Sequence, residues 1–119
     1  MLAVGTDLIA IARIAESIDR FGDRFLNRVY TERELSDSAG RVESLAARFA
    51  AKEAAAKALG CGIGDIGWRD VEVIRDDKKK PHLCLHGPAA DLAATLGMSE
   101  SAVSMSHEQG LAMATVVLT

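Results

Sequence analysis

Two carboxylates and an amine have the types and spacing of a site for a divalent cation and a phosphate. Glu53 and Lys57 lie four residues apart in an alanine-rich segment, so we expect both on one face of a helix. Asp7 interrupts an otherwise apolar run, where a buried carboxylate needs a partner or a metal. Mg²⁺ prefers one or two carboxylates together with phosphate oxygens, and an ammonium group one turn away could meet the phosphate. Together these residues could hold Mg²⁺ and a phosphorylated ligand.

Each of these residues also has a simpler interpretation. A Glu–Lys pair at this spacing is common on helix surfaces, where it adds only about 0.2–0.5 kcal/mol to stability. Asp7 could be a residue at the end of a strand that caps the following helix. The residues alone leave both alternatives open.

A glycine-rich segment follows the predicted helix. Gly60 is expected to end that helix, and residues 62–67 then match the pattern G-x-G-x-x-G. In dinucleotide-binding proteins this pattern follows a strand and opens a helix, whereas here it follows a helix and leads into a strand. The segment is therefore either a connecting loop or a place where backbone N–H groups, such as those of Gly62 and Gly64, approach a ligand phosphate.

Segment 10–30 carries a band of four arginines when it is drawn as one helix. They are Arg13, Arg20, Arg24 and Arg28. The apolar face beside them comprises Ile11, Ile14, Ile18, Phe21, Phe25 and Val29. Gly22 predicts a break in this helix. The band is either a solvated charged face or a ridge that contacts an acidic partner.

The histidines fall into two groups. His82, Cys84 and His86 alternate along one strand, but neighbours two apart on a strand lie nearly 7 Å from each other, roughly too far to share one ion. We therefore interpret them as an ordinary polar sheet face. His107 is predicted at a turn between two apolar strands, either as a turn residue or as a base or phosphate donor.

The composition is that of one globular domain, which we assign to residues 1–119. The chain is 49% hydrophobic and 26% charged, and no apolar run approaches the roughly 18 residues of a membrane span. The first residues indicate a buried strand and not a signal peptide. A net charge of −3 excludes a strongly basic nucleic-acid binder, so we expect neither nucleic acid nor a membrane as partner. Cys61 and Cys84 are too few for a disulfide framework and suggest the cytoplasm.

The predicted elements follow the order strand, helices, hairpin, helix, hairpin, which is typical of the α+β class. Strands are predicted at residues 2–9, 70–76, 82–86, 101–106 and 111–118. Helices are predicted at residues 10–30, 42–59 and 88–96. A further short helix should begin at Thr31, because Glu34 three residues later completes a capping box.

Two segments together resemble a known family. Residues 4–7 read V-G-T-D and residues 48–57 read R-F-A-A-K-E-A-A-A-K, and both their composition and their separation are similar to those of the 4′-phosphopantetheinyl transferases. The chain length is similar to the short branch of that family, the holo-(acyl-carrier-protein) synthases. The resemblance implies a small antiparallel sheet packed against a long helix.

The resemblance also implies an activity. Such enzymes transfer 4′-phosphopantetheine from coenzyme A to a serine of apo-acyl carrier protein, release adenosine 3′,5′-bisphosphate and support fatty acid biosynthesis. They use Mg²⁺, for which Asp7 and Glu53 would be the ligands. The serine must lose a proton during the attack, and Glu53 and His107 are the candidate bases.

Binding roles are implied by the same match. Lys57 would contact the diphosphate, Arg48 and His107 the nucleotide phosphates, and Pro81 the adenosine. The glycines after Lys57 that would lie near the ligand are Gly60, Gly62 and Gly64. The arginine band would face the acidic carrier protein. The short branch forms trimers with sites between subunits, so we expect a homo-oligomer.

Two rival interpretations remain. A non-catalytic carrier-protein or nucleotide-binding module would keep the arginine band and Lys57 but would need neither Asp7 nor Glu53. A structural oligomer would use the helix charges only as surface ion pairs, and alanine at Asp7 or Glu53 would then leave any activity unchanged.

Overall fold

The computed structural model describes residues 1–119, which form five strands, five helices and one short 3₁₀ turn. The helices are α1 (Ile11–Phe21), α2 (Asp23–Val29), α3 (Glu32–Ser38), α4 (Val42–Ala58) and α5 (Gly87–Thr95). The strands are β1 (Ala3–Ala10), β2 (Val71–Arg75), β3 (Pro81–Leu85), β4 (Ser101–Glu108) and β5 (Leu111–Leu118), and the 3₁₀ turn spans Trp68–Asp70. The predicted α+β class is confirmed.

Strands β1, β5 and β4 form an antiparallel sheet with β5 in the centre. β1 pairs with β5 from Ala3 opposite Leu118 to Ala10 opposite Leu111. β4 pairs with the other edge of β5 and runs to Glu108, two residues beyond its predicted end. A tight turn at residues 109–110, with both φ angles positive, lets the strands pair that far. The prediction that His107 lies at a turn is therefore wrong, because it lies within β4.

Helix α4 packs across one face of this sheet, as predicted, and forms the centre of the core. Its buried alanines are Ala46, Ala47, Ala50, Ala51, Ala54, Ala55, Ala56 and Ala58. Such small side chains let the sheet approach the helix backbone closely. A side chain at Gly5 of β1 would place its Cβ 1.9 Å from the carbonyl oxygen of Ala54, so only glycine fits this crossing.

The segment predicted as a broken helix forms two helices, α1 and α2. Gly22 separates them with a φ of 55°, which confirms the predicted break. Ile14 and Val29 are buried, but Phe21 is 50% exposed. Phe21 lies on the same face of α1 as Ile14 and Ile18 but at its last residue, where the core does not cover it.

Helix α3 begins with the predicted capping box and continues into a buried network. The Thr31 hydroxyl accepts from the Glu34 backbone N–H, and the Glu34 carboxylate accepts from the Thr31 N–H. Glu34 Oε1 also accepts from Lys52 Nζ of α4 at 2.7 Å, and neither side chain has any solvent exposure. Glu34 Oε2 accepts from the N–H of Val73, so one carboxylate connects α3, α4 and β2.

Strands β2 and β3 form a separate two-stranded antiparallel sheet. Both ends of β2 and both ends of β3 lie one residue from their predicted positions. Pro81 is the first residue of β3 rather than part of the turn. Helix α5 begins one residue before Pro88, which stands in its first turn as expected. No helix of the chain has the length and apolar character needed to cross a membrane.

Candidate functional site

Asp7 and Lys57 meet where β1 crosses the C-terminal half of α4. Residues Gly5, Asp7 and Ile9 alternate towards the helix, because successive side chains of a strand point to opposite faces. Lys57 Nζ lies 3.2 Å from Asp7 Oδ1 and donates to the Thr6 carbonyl oxygen at 2.9 Å. The ammonium group remains largely exposed, so it can also meet a ligand.

Glu53 lies one turn before Lys57 on the same face of α4. Partial burial, and next the negative charge of Asp7, raise the pKa of the Glu53 carboxyl, while Lys57 partly offsets them. Lys57 contacts Asp7 and follows Glu53 by one helical turn, so the two carboxylates lie on the same side of α4. A divalent cation would relieve this repulsion, and oxygen donors are the ligands that Mg²⁺ prefers. The residues present therefore fit Mg²⁺.

The simpler interpretations of these residues do not describe the structure. Lys57 forms its ion pair with Asp7 and not with Glu53. Asp7 lies three residues before the end of β1, and Ala10 precedes α1 without any side-chain cap. The three residues therefore form a cluster between a strand and a helix.

A second polar region is a cleft of about 360 Å³ at the start of α4. Its lining comprises Arg41, Glu43, Ser44, Ala47, Arg48, Arg75, Lys79, Pro81, Met105, Ser106 and His107. Arg48, Pro81 and His107, which were predicted to bind the nucleotide, thus share one cleft. Four lining side chains are cationic and only one is a carboxylate, an excess that suits a phosphorylated ligand.

Arg48 is the most informative residue of the cleft. It is only 2% exposed, and its Nη1 donates to Ser44. Its Nε and Nη2 are buried and have no hydrogen-bond partner. Burial, with a smaller contribution from Arg75, lowers the pKa of Arg48. Buried donors without partners are costly, so this guanidinium is ready for an anion in the cleft.

The cleft and the carboxylate cluster do not meet within one chain. None of Asp7, Glu53 and Lys57 lines the cleft. Arg48 and Glu53 are five residues apart on α4, which separates them by about 140° around the helix axis. The predicted site residues therefore fall into two groups on different sides of the same helix.

The backbone N–H groups of the three glycines after α4 form hydrogen bonds within α4 and the loop that follows it. The N–H of Gly60 donates to Lys57 O, that of Gly62 to Asp65 Oδ2, and that of Gly64 to Ile66 O. The position of a Cβ on each of these glycines is open space. The glycines therefore leave room beside the end of α4, while their own donors are already used.

The four arginines of the predicted band are all exposed and form no ion pair with a carboxylate. Arg13 and Arg20 lie on α1, and Arg24 and Arg28 lie on α2. A groove of about 220 Å³ is lined by Arg24 and Arg28 together with Phe21 and Phe25. The surface therefore combines free cations with apolar rings.

Sequence reasoning missed several residues that shape these regions. Gly5 lets Asp7 approach α4, and its signal was its place in the V-G-T-D segment. Arg75 and Lys79 add charge to the cleft; Lys79 belongs to the run of three lysines before Pro81, whereas no local pattern distinguished Arg75. Lys52 belongs to the quoted motif, yet nothing in the motif shows that it is buried and paired with Glu34.

Comparisons with known proteins agree with this geometry. Residues 3–116 match the model of the 4′-phosphopantetheinyl transferase superfamily. A holo-[acyl-carrier-protein] synthase of Koribacter versatilis is 47% identical over 99% of this chain and 98% of its own length. A holo-[acyl-carrier-protein] synthase of Herpetosiphon aurantiacus is 48% identical over 98% of this chain and 98% of its own length.

A solved structure gives the same result. The holo-[acyl-carrier-protein] synthase of Helicobacter pylori, in complex with coenzyme A, superposes with a TM-score of 0.89 at 31% identity, covering 98% of this chain and 99% of that one. Similarity of sequence and of structure therefore extends over nearly the whole chain. The chain belongs to the 4′-phosphopantetheinyl transferase superfamily.

Proposed function

We propose that the protein transfers the 4′-phosphopantetheine group of coenzyme A to a serine hydroxyl of apo-acyl carrier protein and releases adenosine 3′,5′-bisphosphate. The observation that carries the proposal is the cluster of Asp7, Glu53 and Lys57, in a chain whose full-length relatives are holo-[acyl-carrier-protein] synthases. The activity would serve fatty acid biosynthesis, and its setting would be the cytoplasm. Two free cysteines are compatible with that setting.

Asp7 and Glu53 are the proposed ligands of Mg²⁺. The bound cation would neutralise the charge that develops on the leaving phosphate. Lys57 would hold the diphosphate, since its ammonium group is exposed beside both carboxylates. Gly60, Gly62 and Gly64 would leave space for the ligand beside Lys57 rather than donate hydrogen bonds to it.

The cationic cleft is the proposed nucleotide site. Arg48 would donate from its unpartnered Nε and Nη2 to a phosphate, and His107 would lie beside the same phosphates. Pro81 would contact the adenosine. The glutamate and not the histidine would take the serine proton, because Glu53 lies in the cluster that holds the diphosphate, whereas His107 lines the nucleotide cleft. His107→Asn should then raise KM for coenzyme A more than it lowers kcat.

Acyl carrier protein would dock on α1 and α2. Arg13, Arg20, Arg24 and Arg28 offer exposed positive charge that no carboxylate of the chain neutralises, and the carrier protein is acidic. Phe21 and Phe25 would supply apolar contact in the groove beside Arg24.

We further propose a homotrimer in which each site joins the cleft of one subunit to the carboxylate cluster of the next. Two features support it. The cleft and the cluster lie on different sides of α4, and a cyclic assembly brings different faces of identical subunits together. The sheet face opposite α4 also exposes apolar side chains, which are Val4, Leu8, Leu111 and Met113.

The experiment is intact-mass spectrometry of an apo-acyl carrier protein incubated with this protein, coenzyme A and Mg²⁺. A mass gain of one phosphopantetheinyl group that EDTA prevents is the expected result. Glu53→Gln should give no gain although it still binds coenzyme A. Glu100→Gln is the matched control, because that carboxylate is exposed between α5 and β4, outside the cluster and the cleft, and it should react normally.

Either rival interpretation would give a different outcome. A binding module would bind coenzyme A and the carrier protein without any mass gain. A structural role for the carboxylates would leave Glu53→Gln as active as the wild type.

A further inference from the structure

A second group of metal-ligating side chains lies on the two-stranded sheet. Glu72 of β2 stands directly opposite Cys84 of β3, and His86 follows Cys84 by two residues. A carboxylate oxygen, the thiol sulfur and a ring nitrogen of these residues all lie within 4.8 Å of one another. The Nε2 atom of His86 is 3.0 Å from Glu72 Oε1.

The group includes one residue that the strand pattern alone did not suggest. The strand spacing fixes the distances between the backbone positions of His82, Cys84 and His86. The ligand atoms at the ends of their side chains can lie closer together than that. His82 turns away and lies 2.8 Å from Asp76 Oδ2. Glu72 takes the third position because cross-strand neighbours are closer than neighbours along one strand.

Surrounding contacts hold these side chains in place. The other carboxylate oxygen of Glu72 accepts from the hydroxyl of Thr31, the residue that caps α3. The backbone N–H of His86 donates to Asp70 O at 2.7 Å, and His86 is the residue that precedes α5. Glu72 is 12% exposed, whereas the His86 ring is 48% exposed. The Glu72 side chain is thus held by Thr31, whereas only the backbone of His86 is held and its ring is open to solvent.

The donor set selects the kind of ion. A thiolate, an imidazole and a carboxylate are the usual ligands of Zn²⁺, at distances of about 2.0–2.3 Å. Tetrahedral ligands at such distances lie about 3.5 Å apart, so the widest pair here must close by roughly 1 Å, which a rotation of the exposed His86 ring permits. Mg²⁺ requires oxygen ligands and does not fit this set.

We propose that Glu72, Cys84 and His86 form a zinc site that is separate from the Asp7–Glu53 cluster. Zn²⁺ replaces the His86–Glu72 hydrogen bond, and the Cys84 thiol gives its proton to solvent on binding. Three protein ligands leave the fourth position to water or to an added ligand. The ion connects β2 to β3 and, through Glu72 and Thr31, to the start of α3.

The test uses Co²⁺, whose thiolate complexes absorb in the near ultraviolet. The full-length, metal-free protein is titrated with Co²⁺ in excess Mg²⁺, which occupies oxygen-ligand sites. We expect a thiolate-to-cobalt absorption band at one ion per chain, and its displacement by Zn²⁺. Cys84→Ser should abolish the band, whereas Cys61→Ser should keep it, because Cys61 belongs to no such group.

Two further variants separate the ligands from their neighbours. His86→Ala should weaken Zn²⁺ binding at least tenfold, measured by competition with a chromophoric chelator. His82→Ala should not change it, since His82 pairs with Asp76. The proposal is overturned if the wild type shows no thiolate band, or if Cys84→Ser retains one. If a variant does not fold, the presence or absence of the thiolate band in the wild-type spectrum still tests the proposal.

Discussion

Burial divides the ionisable residues of α4 into two kinds. Lys52 and Arg48 point into the protein and are almost completely buried, whereas Glu53 and Lys57 lie on the partly exposed side. Lys52 donates to Glu34 and to the backbone oxygens of Trp68 and Val71. In the segment K-E-x-x-x-K the first lysine is therefore structural, and the glutamate and second lysine are available for a ligand.

Lys52→Met should lower the free energy of unfolding by about 3–5 kcal/mol, because it leaves the Glu34 carboxylate buried without its cation. Urea denaturation measures the change. The double variant with Glu34→Leu should be more stable than the sum of the single changes predicts. Additive effects would show that the two side chains do not stabilise each other.

Glu53→Gln should not destabilise the metal-free protein at pH 7. Burial and the charge of Asp7 raise the pKa of Glu53 in the folded state, so the free energy of unfolding falls as the pH rises from the ordinary glutamate range through that raised pKa. Glutamine does not ionise, so the free energy of unfolding of the variant does not fall in this way as the pH rises. Mg²⁺ at ten times its dissociation constant should add about 1.4 kcal/mol to the wild type and nothing to the variant, as read from thermal melts. An equal response of both proteins to Mg²⁺ would contradict the assignment of Glu53 as a ligand.

Among the secondary-structure elements, β1 and α4 matter most for the carboxylate cluster, because their crossing determines how close Asp7 lies to Glu53 and Lys57. The strand can approach because Gly5 has no side chain and the facing helix residues are alanines. That approach brings Asp7 to the side of α4 that carries Glu53 and Lys57. The distance between two elements therefore determines the spacing of the proposed ligands.

Gly5→Ala should destabilise the protein by about 1–3 kcal/mol and reduce transfer activity, because its Cβ would overlap the Ala54 carbonyl and push β1 from α4. Gly62→Ala is the matched control for stability, since its Cβ would occupy open space. Chemical denaturation compares the two variants. Equal losses of stability would show that the crossing tolerates a side chain.

Helices α1 and α2 carry the proposed docking surface. Reversing the charge at Arg13 and Arg24 to glutamate should raise KM for the carrier protein roughly tenfold, which corresponds to 1.4 kcal/mol, and leave KM for coenzyme A nearly unchanged. Steady-state kinetics with each substrate varied in turn gives both constants. Arg33→Glu is the control, because Arg33 is also exposed but lies on α3. A similar rise for both substrates would contradict a docking role.

Local sequence signals predicted the elements well. The capping box at Thr31, the break at Gly22 and the end of α4 before Gly60 all depend on a few neighbouring residues. His107 was misplaced because the tight turn at residues 109–110 extends the pairing of β4. Long-range partners such as Lys52 with Glu34, or Cys84 with Glu72, depend on packing that no local pattern encodes.

For the whole molecule, the separation of the cleft from the carboxylate cluster is the feature on which the proposed trimer depends. A cleft of four cations and a cluster of carboxylates on different sides of α4 would each hold one part of coenzyme A. The exposed apolar side chains of the sheet provide a surface for the association that the proposed site requires.

Mixed assemblies test this arrangement. Arg48→Gln and Glu53→Gln should each be inactive, but their co-expression should restore activity at about one site in four, because random trimers then contain sites with both halves intact. Activity per subunit in purified mixed trimers is the measurement. Complete inactivity of a well-folded mixture would place the whole site within one subunit. If Arg48→Gln does not fold, His107→Asn replaces it, assayed at coenzyme A concentrations well below its raised KM, where its own activity is low.

The central position of β5 also governs how quickly the chain can fold. The hydrogen bond between Thr6 and Ala114 joins residues 108 positions apart, and β1 has no strand partner other than β5. Forming such a pair closes a loop through almost the whole chain, which makes refolding slow compared with that of a helical bundle of equal size. Until β1 arrives, one edge of β5 remains open, and a strand from another chain could occupy it first. Yield on refolding should therefore fall as protein concentration rises.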